Sequence, residues 1–425
     1  MAKLRNDRLS AWMAEYGMSA AELADAVNEA IRDLTGALGS TSERSVFRWL
    51  AGDVRWPNER QRRALEAVTG RPPRDLGFVP RGKKQSVPAI PEDPLMHRRS
   101  LLGAAAGTAA AVSIPLASPA AARPSRVGAS DVIRLRDDIE RLVALDSLRG
   151  GQGLERTALQ GAAEATRLQQ QSTTQRVRQR LLTLAATFTS AAAWSLIDVG
   201  ELEGASRHLD RALTLAGLAR DPEAAMQVWN LRSMLARQRR DYAEAVAAAQ
   251  AAQATAVARR SPLHASLAHA RAAVGLAHGG QGRSALASLG RAEEALTKVD
   301  WAEPRSAWLE FYGPAELYSL SAIVQDLAGR PADAEATSHR ALAALGPEYR
   351  RNRAHATAWL AVTQLHQNEV EQACATSSAV FGFTGGALPG RLRQLLGDFQ
   401  RDLIARDPKA AHEWMDRHRA EWSTS

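Results

Sequence analysis

From Gly200 onward a short unit recurs along the chain: GELEGASRHLDRAL at Gly200, RDYAEAVAAAQAA at Arg240, GRSALASLGRAEEAL at Gly282, GRPADAEATSHRAL at Gly329 and NEVEQACATSSAV at Asn368. Successive units start about forty residues apart, with one longer step between the third and the fourth. In the first four, alanines stand seven residues apart, at Ala205/Ala212, Ala245/Ala252, Ala285/Ala292 and Ala334/Ala341. Seven residues are close to two helical turns, so each pair lies on one helix face, where only a small side chain lets a neighbouring helix come near. Such self-similarity predicts stacked helical hairpins, none of which can bury its apolar face alone. β-Branched runs are short and alanine-rich helical stretches dominate from Asp131 onward, so the expected fold class is all-α.

A second pattern lies near the amino terminus, in STSERSVFRWLAGDVRWP from Ser40 to Pro57. Ser40 or Thr41 is expected to cap a helix, Glu43 stands three residues after Ser40 as a capping box requires, and Gly52 ends the run. The helix then spans about Ser42 to Ala51. Val46, Trp49 and Leu50 face a core, which leaves Ser42 at the start and Arg44, Ser45 and Arg48 on the polar side. Arginine can grip guanine through two parallel hydrogen bonds and serine can reach a base edge or a phosphate. Arg55, Arg60, Arg62 and Arg63 are placed to hold the DNA backbone beside them. Upstream, Leu9, Trp12, Met13 and Tyr16 form one apolar stripe, and Ser19 with Glu22 opens a second helix striped by Leu23, Val27, Ile31 and Leu34. A connection from Gly36 to Gly39 follows, and Asn58 caps a fourth helix carrying Leu65 and Val68 to Gly70. Eleven Lys and Arg stand between Arg44 and Lys84 against four acidic residues, whereas Met1 to Glu43 is net negative. A helix-turn-helix domain with its basic face on the second member fits this order, and double-stranded DNA is the expected partner. The alternative is a small helical bundle with a solvated charged face.

Between Arg71 and Arg126 prolines cluster and helical periodicity stops, which marks a linker. Inside it Arg98 and Arg99 precede an uncharged stretch, Ser100 to Ala122, that ends in small residues, a layout similar to a twin-arginine export signal. A start at Met96 would give a shorter product with that layout at its front. Pro115, Pro119 and many Ala and Gly disfavour a stable membrane span, and a flexible connector between two cytoplasmic domains is the simpler reading. The expected domains are 1–80, a linker over 81–130, and a repeat domain over 131–425.

The chain carries a formal net charge of +8, which suits an acidic partner but does not separate nucleic acid from anionic membrane. A single cysteine, Cys374, excludes an intramolecular disulfide and a multi-cysteine metal site, and reads as a small buried hydrophobe on a helix. His264 and His269 are five apart, and His412 and His418 six apart. Neither pair has the spacing that aligns two zinc ligands on a helix, so surface or capping roles are expected, with no metal. No phosphate-cradling loop and no nucleophile elbow occur, Glu293 and Glu294 diverge on their helix, and neither enzyme activity nor a cofactor is expected. Gly385-Gly386 reads as a turn before a final helix. Trp194, Trp229, Trp308 and Trp359 recur on apolar faces as core anchors. An array of hairpins offers an extended concave surface for a peptide or protein segment. Asn230, Arg232, Arg237 and Arg271 lie on first helices of their hairpins, where a basic groove would prefer an acidic peptide or a terminal carboxylate.

The recurring units resemble degenerate tetratricopeptide repeats, keeping the Gly/Asp and Ala positions but few of the aromatic ones and stretching the usual spacing. Together with VFRWLAGDVRWP and the Arg-Arg-Ser-Leu-Leu connector, nearly the whole chain resembles actinobacterial regulators that join an XRE-like helix-turn-helix domain to tetratricopeptide repeats. The resemblance implies an amino-terminal DNA-binding head, a flexible linker and a carboxy-terminal α-solenoid. It also implies cytoplasmic, nucleoid-associated transcriptional control through a ligand- or partner-responsive repeat domain. Dimerisation would follow if two heads must match paired half-sites. The alternative from another class is a repeat-based scaffold, associated with membrane through Ser100 to Ala122, whose head docks protein rather than DNA.

Overall fold

The computed structural model describes residues 5–80, 127–149, 153–171, 173–384 and 388–419. The twin-arginine-like stretch and Gly385-Gly386 lie outside these residues. Among the described residues there are eighteen α-helices, one 3-10 helix and no strand, and the chain divides into two compact units, Met1–Arg126 and Val127–Ser425.

The first unit holds α1 (Asp7–Glu15), α2 (Ala20–Thr35), α3 (Glu43–Leu50) and α4 (Glu59–Thr69). Each start is capped: Asn6, Ser19, Ser42 and Asn58 accept from the backbone of the following turn, and Ser19 and Glu22 complete a reciprocal capping box. The core gathers Leu9, Trp12, Leu23, Val27, Val46, Trp49, Leu65 and Phe78, all nearly or fully excluded from solvent. Two details depart from the sequence reading. The cap of α3 is Ser42 with Ser45, not Ser40 or Thr41, because Thr41 is pulled inward. Its N–H donates to Asn28 Oδ1 and its carbonyl accepts from Asn28 Nδ2, both at 2.7 Å. Leu34 does not continue the buried stripe of α2; it is 42% exposed, at the edge of a shallow concavity that Glu59, Arg60 and Arg63 of α4 also border.

The second unit starts at Val127, which is buried against its core, slightly ahead of the expected boundary at 131. It opens with α5 (Ala129–Arg149) and α6 (Leu154–Gln169). Five hairpins follow, each a pair of packed helices: α7 (Gln175–Val199) with α8 (Leu202–Ala219), α9 (Pro222–Gln238) with α10 (Tyr242–Gln253), α11 (Pro262–His278) with α12 (Gly282–Leu296), α13 (Pro314–Leu327) with α14 (Pro331–Ala344), and α15 (Arg350–His366) with α16 (Val370–Thr384). Two helices close the unit, α17 (Gly390–Arg406) and α18 (Pro408–Arg417), where the sequence suggested one.

The second helix of each hairpin carries the recurring unit, and all eight alanines spaced by seven are at most 1% exposed. The same spacing recurs at Ala373/Val380 in α16 and Ala158/Ala165 in α6, all fully buried. The turn inside each hairpin is built alike. One residue takes a left-handed backbone, at Gly200, Arg240, Gly280, Gly329 and Asn368, and the next N–H reaches back five residues to a carbonyl of the first helix. That closure satisfies carbonyls which the helix end would leave without partners.

The longer step between the third and fourth units is filled by the segment that carries the 3-10 helix, Ala307–Leu309. Leu309 and Tyr312 plug into the core, while Ser306 and Trp308 donate to Glu223 at the start of α9. The array also returns on itself. Helix α17 packs against α7, Gln394 Nε2 donates to Gln238 O at 3.1 Å, and Arg240 pairs with Asp398 at 2.7 Å. Gly390 is required at the crossing, because a Cβ there would stand 2.3 Å from Val199 O. By length and composition α7 could cross a membrane, yet 72% of its apolar window is buried inside this unit as a core helix.

Candidate functional site

Two surfaces concentrate the side chains of interest, one in each unit. In the first, α3 presents Glu43, Arg44, Phe47 and Arg48 to solvent and turns Val46 and Trp49 inward. Arg44 and Arg48 are one helical turn apart, and no hydrogen bond or ion pair among the described residues engages either guanidinium. Gly39 lets the connection to α3 come close to α2: a Cβ at Gly39 would lie 2.6 Å from Asn28 Cα. The Asn28–Thr41 clamp and the Ser42 cap therefore fix the direction in which α3 leaves the turn.

Arg55, Arg60 and Arg63 are exposed, and Arg60 and Arg63 border a shallow concavity with Leu34, Thr35 and Glu59. Arg62 departs from expectation: it donates to Pro57 O at 2.7 Å and lies over Trp56 at 4.9 Å, so it braces the turn before α4. Ser42 and Ser45 are likewise committed to the helix start, their hydroxyls 3.1 Å apart and each bonded to the other's backbone N–H. Phe47, 55% exposed between the two arginines, was not singled out from the sequence. Its signal was an aromatic on the polar side of an otherwise regular stripe.

In the second unit, first helices of the hairpins, together with α5 and α17, bring polar groups together. Arg271 Nε donates to Asn230 Oδ1 at 2.9 Å, and its guanidinium approaches Glu316 at 3.7 Å. Asp146, Arg351, Asp198 and Arg391 follow one another as ion pairs: Arg351 to Asp146 at 2.8 Å and to Asp198 at 3.3 Å, and Arg391 to Asp198 at 3.6 Å. Trp194 is the platform of this cluster. Arg351 and Arg391 lie over its ring at 5.3 and 5.1 Å, and its indole N–H donates to Asp146 at 3.0 Å. It is thus more than the core anchor expected from its apolar neighbours. Trp229, Trp308 and Trp359 do pack against the core, half-buried. None of Trp194's charged partners was legible as a site, because each sits singly on a different helix, up to two hundred residues away in the chain.

Arg237 stands among these groups without a hydrogen-bond or ion-pair partner among the described residues. Burial pushes its guanidinium down to about 9, and Arg391 and Arg271 push it the same way, which still leaves it charged at neutral pH. Burial also lowers His278 to about 3, with Arg237 and Arg240 adding to the effect. His355 is held well below the usual histidine range by burial and then by Arg391, Arg351 and Arg237. The Nε2 atoms of both histidines are buried without a hydrogen bond. Arg232 is not part of this grouping; it bonds Asp210 on α8 and lies over Trp229.

Surface or capping roles were expected of His264 and His418; both are buried, and His418 does stand at the C-cap of α18. His264 bonds Ser261 at 2.8 Å beside Glu223, and His418 bonds Ser378 at 2.8 Å and stacks on Phe381. Burial raises the Glu223 carboxyl, but the His264 imidazole 3.6 Å away and bonds from Ser306 and Trp308 outweigh it and hold the group below its ordinary value. Cys374 is half-buried against the last core cluster, and burial raises its thiol. Among the described residues no three His, Cys, Asp or Glu side chains converge as metal ligands. No protein-family model matches the chain, and comparison with curated proteins finds no similar sequence.

Proposed function

We propose that the chain is a sequence-specific DNA-binding transcriptional regulator. In this reading the first unit is a helix-turn-helix domain, and the second is a solenoid of tetratricopeptide-like hairpins that senses a peptide or protein. The observation that carries it is the solvent face of α3, where Arg44 and Arg48 project one turn apart from a helix fixed by its cap and by the Asn28–Thr41 clamp. Such a helix can lie in a major groove with its arginines on guanine edges and Phe47 against a thymine methyl. Arg55, Arg60 and Arg63 remain available for phosphates, whereas Arg62, Ser42 and Ser45 serve to position. The seven-residue connection from Gly36 to Ser42 is longer than the usual turn of such motifs, and Gly39 with Asn28 makes it rigid. A ligand that favours one curvature of the array would shift how two heads are spaced on paired half-sites, in a cytoplasmic homodimer.

A second reading, a scaffold whose head docks protein, draws on the exposure of Phe47, Leu38 and Val79. Salt separates the two. Binding of the full-length protein to duplex DNA should fall steeply with ionic strength, and Arg44→Ala/Arg48→Ala should weaken binding and flatten that dependence. Salt-independent association that survives the double substitution would favour the scaffold.

A further inference from the structure

The second unit contains a partly buried guanidinium, that of Arg237, which no side chain among the described residues pairs. Four guanidiniums, of Arg237, Arg271, Arg351 and Arg391, face three carboxylates, of Asp146, Asp198 and Glu316. Three of the four have partners; Arg237 has none among the described residues. Its surroundings are built rather than loose. Helix α17 crosses beside it, tied by Gln394 to the carbonyl of Gln238, and Arg391 lies one turn earlier on that helix. His278, which stacks on Tyr242 at 5.2 Å, also feels the charge of Arg237. The neighbouring Arg271 and Arg391 side chains are only 7% and 16% exposed. Bulk water therefore screens their mutual repulsion poorly, and an arginine cannot shed its proton to relieve it. Arg237 is itself only partly buried, so an anion arriving from solvent can reach it and relieve that repulsion.

We propose that Arg237, with Arg391 and Arg271, forms an oxyanion-binding site inside the repeat domain, which takes one carboxylate or phosphate group of a ligand. The guanidinium fork of Arg237 matches either group with two parallel bonds. The buried Nε2 atoms of His278 and His355, which lack partners, lie within the electrostatic reach of Arg237. The site rests on the reading of the second unit as a ligand-receiving array, and it defines what that array recognises: a compact anionic group rather than a length of neutral peptide. Arg232, which bonds Asp210 and lies over Trp229, is outside it.

The test is the thermal unfolding of the full-length protein with increasing inorganic phosphate or increasing succinate, against chloride at matched ionic strength. The expected result is a saturable rise of about 2–4 °C with at least one of the two oxyanions, the difference between them telling phosphate from carboxylate. Arg237→Met should remove that rise and, without added anion, melt at or above the wild-type temperature, because the repulsion with Arg391 and Arg271 is gone. Arg232→Met should keep the rise. If Arg237→Met does not fold, Arg237→Lys serves, with a smaller rise expected from a charge that lacks the fork. An equal rise in the Arg237 variants would mean an adventitious ion only, and no saturable rise with either oxyanion would equally overturn the site. Arg44→Ala/Arg48→Ala should retain the full rise, so failure of the DNA reading and failure of this one register separately.

Discussion

At the scale of single residues, conformation and charge diverge from what side-chain type alone suggests. Arg220 ends α8 with φ of 56°, a left-handed backbone that a side chain disfavours and that glycine would keep with the same helix-end closure, Arg220 N–H to Gly217 O and Asp221 N–H to Ala216 O, both at 3.1 Å. Arg220→Gly should therefore raise the stability of the second unit by up to about 1 kcal/mol, the relieved strain exceeding the added chain entropy, as read from chemical denaturation. His278 gives a second expectation. Its folded value is lowered from 6.5 to about 3, so below about pH 6.5 the unfolded chain takes up a proton that the folded one refuses. Stability should fall as pH drops through that window, by up to about 1.4 kcal/mol per pH unit. His355 acts in the same sense. His366, raised chiefly by its bond to Asp326, acts oppositely: its contribution is present below about 6.5 and fades as pH rises through its raised value. His278→Phe, which keeps the stack on Tyr242, should flatten the decline between pH 7 and 5 in a melting series; an unchanged slope would show that His278 protonates freely in the folded state.

At the scale of elements, small residues set how closely helices pack. Ala252, 1% exposed in α10, belongs to the core shared with Met226 and Leu267. Ala252→Leu should overpack that contact and cost about 1–3 kcal/mol, whereas cooperative melting at the wild-type midpoint would count against close packing there. This is also where the sequence was most legible. Alanines seven apart located the second helix in four of the five hairpins, since a buried small side chain leaves a mark in the sequence wherever two helices touch. The same rule applied to α6 and α16, but there Val380 broke the alanine pattern and Ala158/Ala165 stood apart from any Gly- or Asp-led unit. The cap of α3 was misplaced by one or two residues for a different reason. Ser40, Thr41 and Ser42 all have capping chemistry, and the choice falls to a tertiary contact, the grip of Asn28 on Thr41.

At the scale of the whole molecule, two units of different character share one chain. Arg44 and Arg48 were readable as a pair because four residues on a helix are neighbours in space. Arg237 and Arg271 were readable, with Asn230, as residues on first helices of their hairpins, but Asp146, Asp198, Arg351 and Arg391 were not, because they meet only once the array has turned back and α17 crosses α7. Spacing along a chain carries no record of such closure. The proposed division of labour, a DNA-reading head and an anion-receiving array, stands or falls first on the head. The decisive measurement is genome-wide capture of DNA bound by the full-length protein, beside Arg44→Ala/Arg48→Ala shown by circular dichroism to be equally folded. The account predicts discrete, replicated sites that disappear in the variant; enrichment no greater than background for both proteins, with and without phosphate or succinate present, would contradict it.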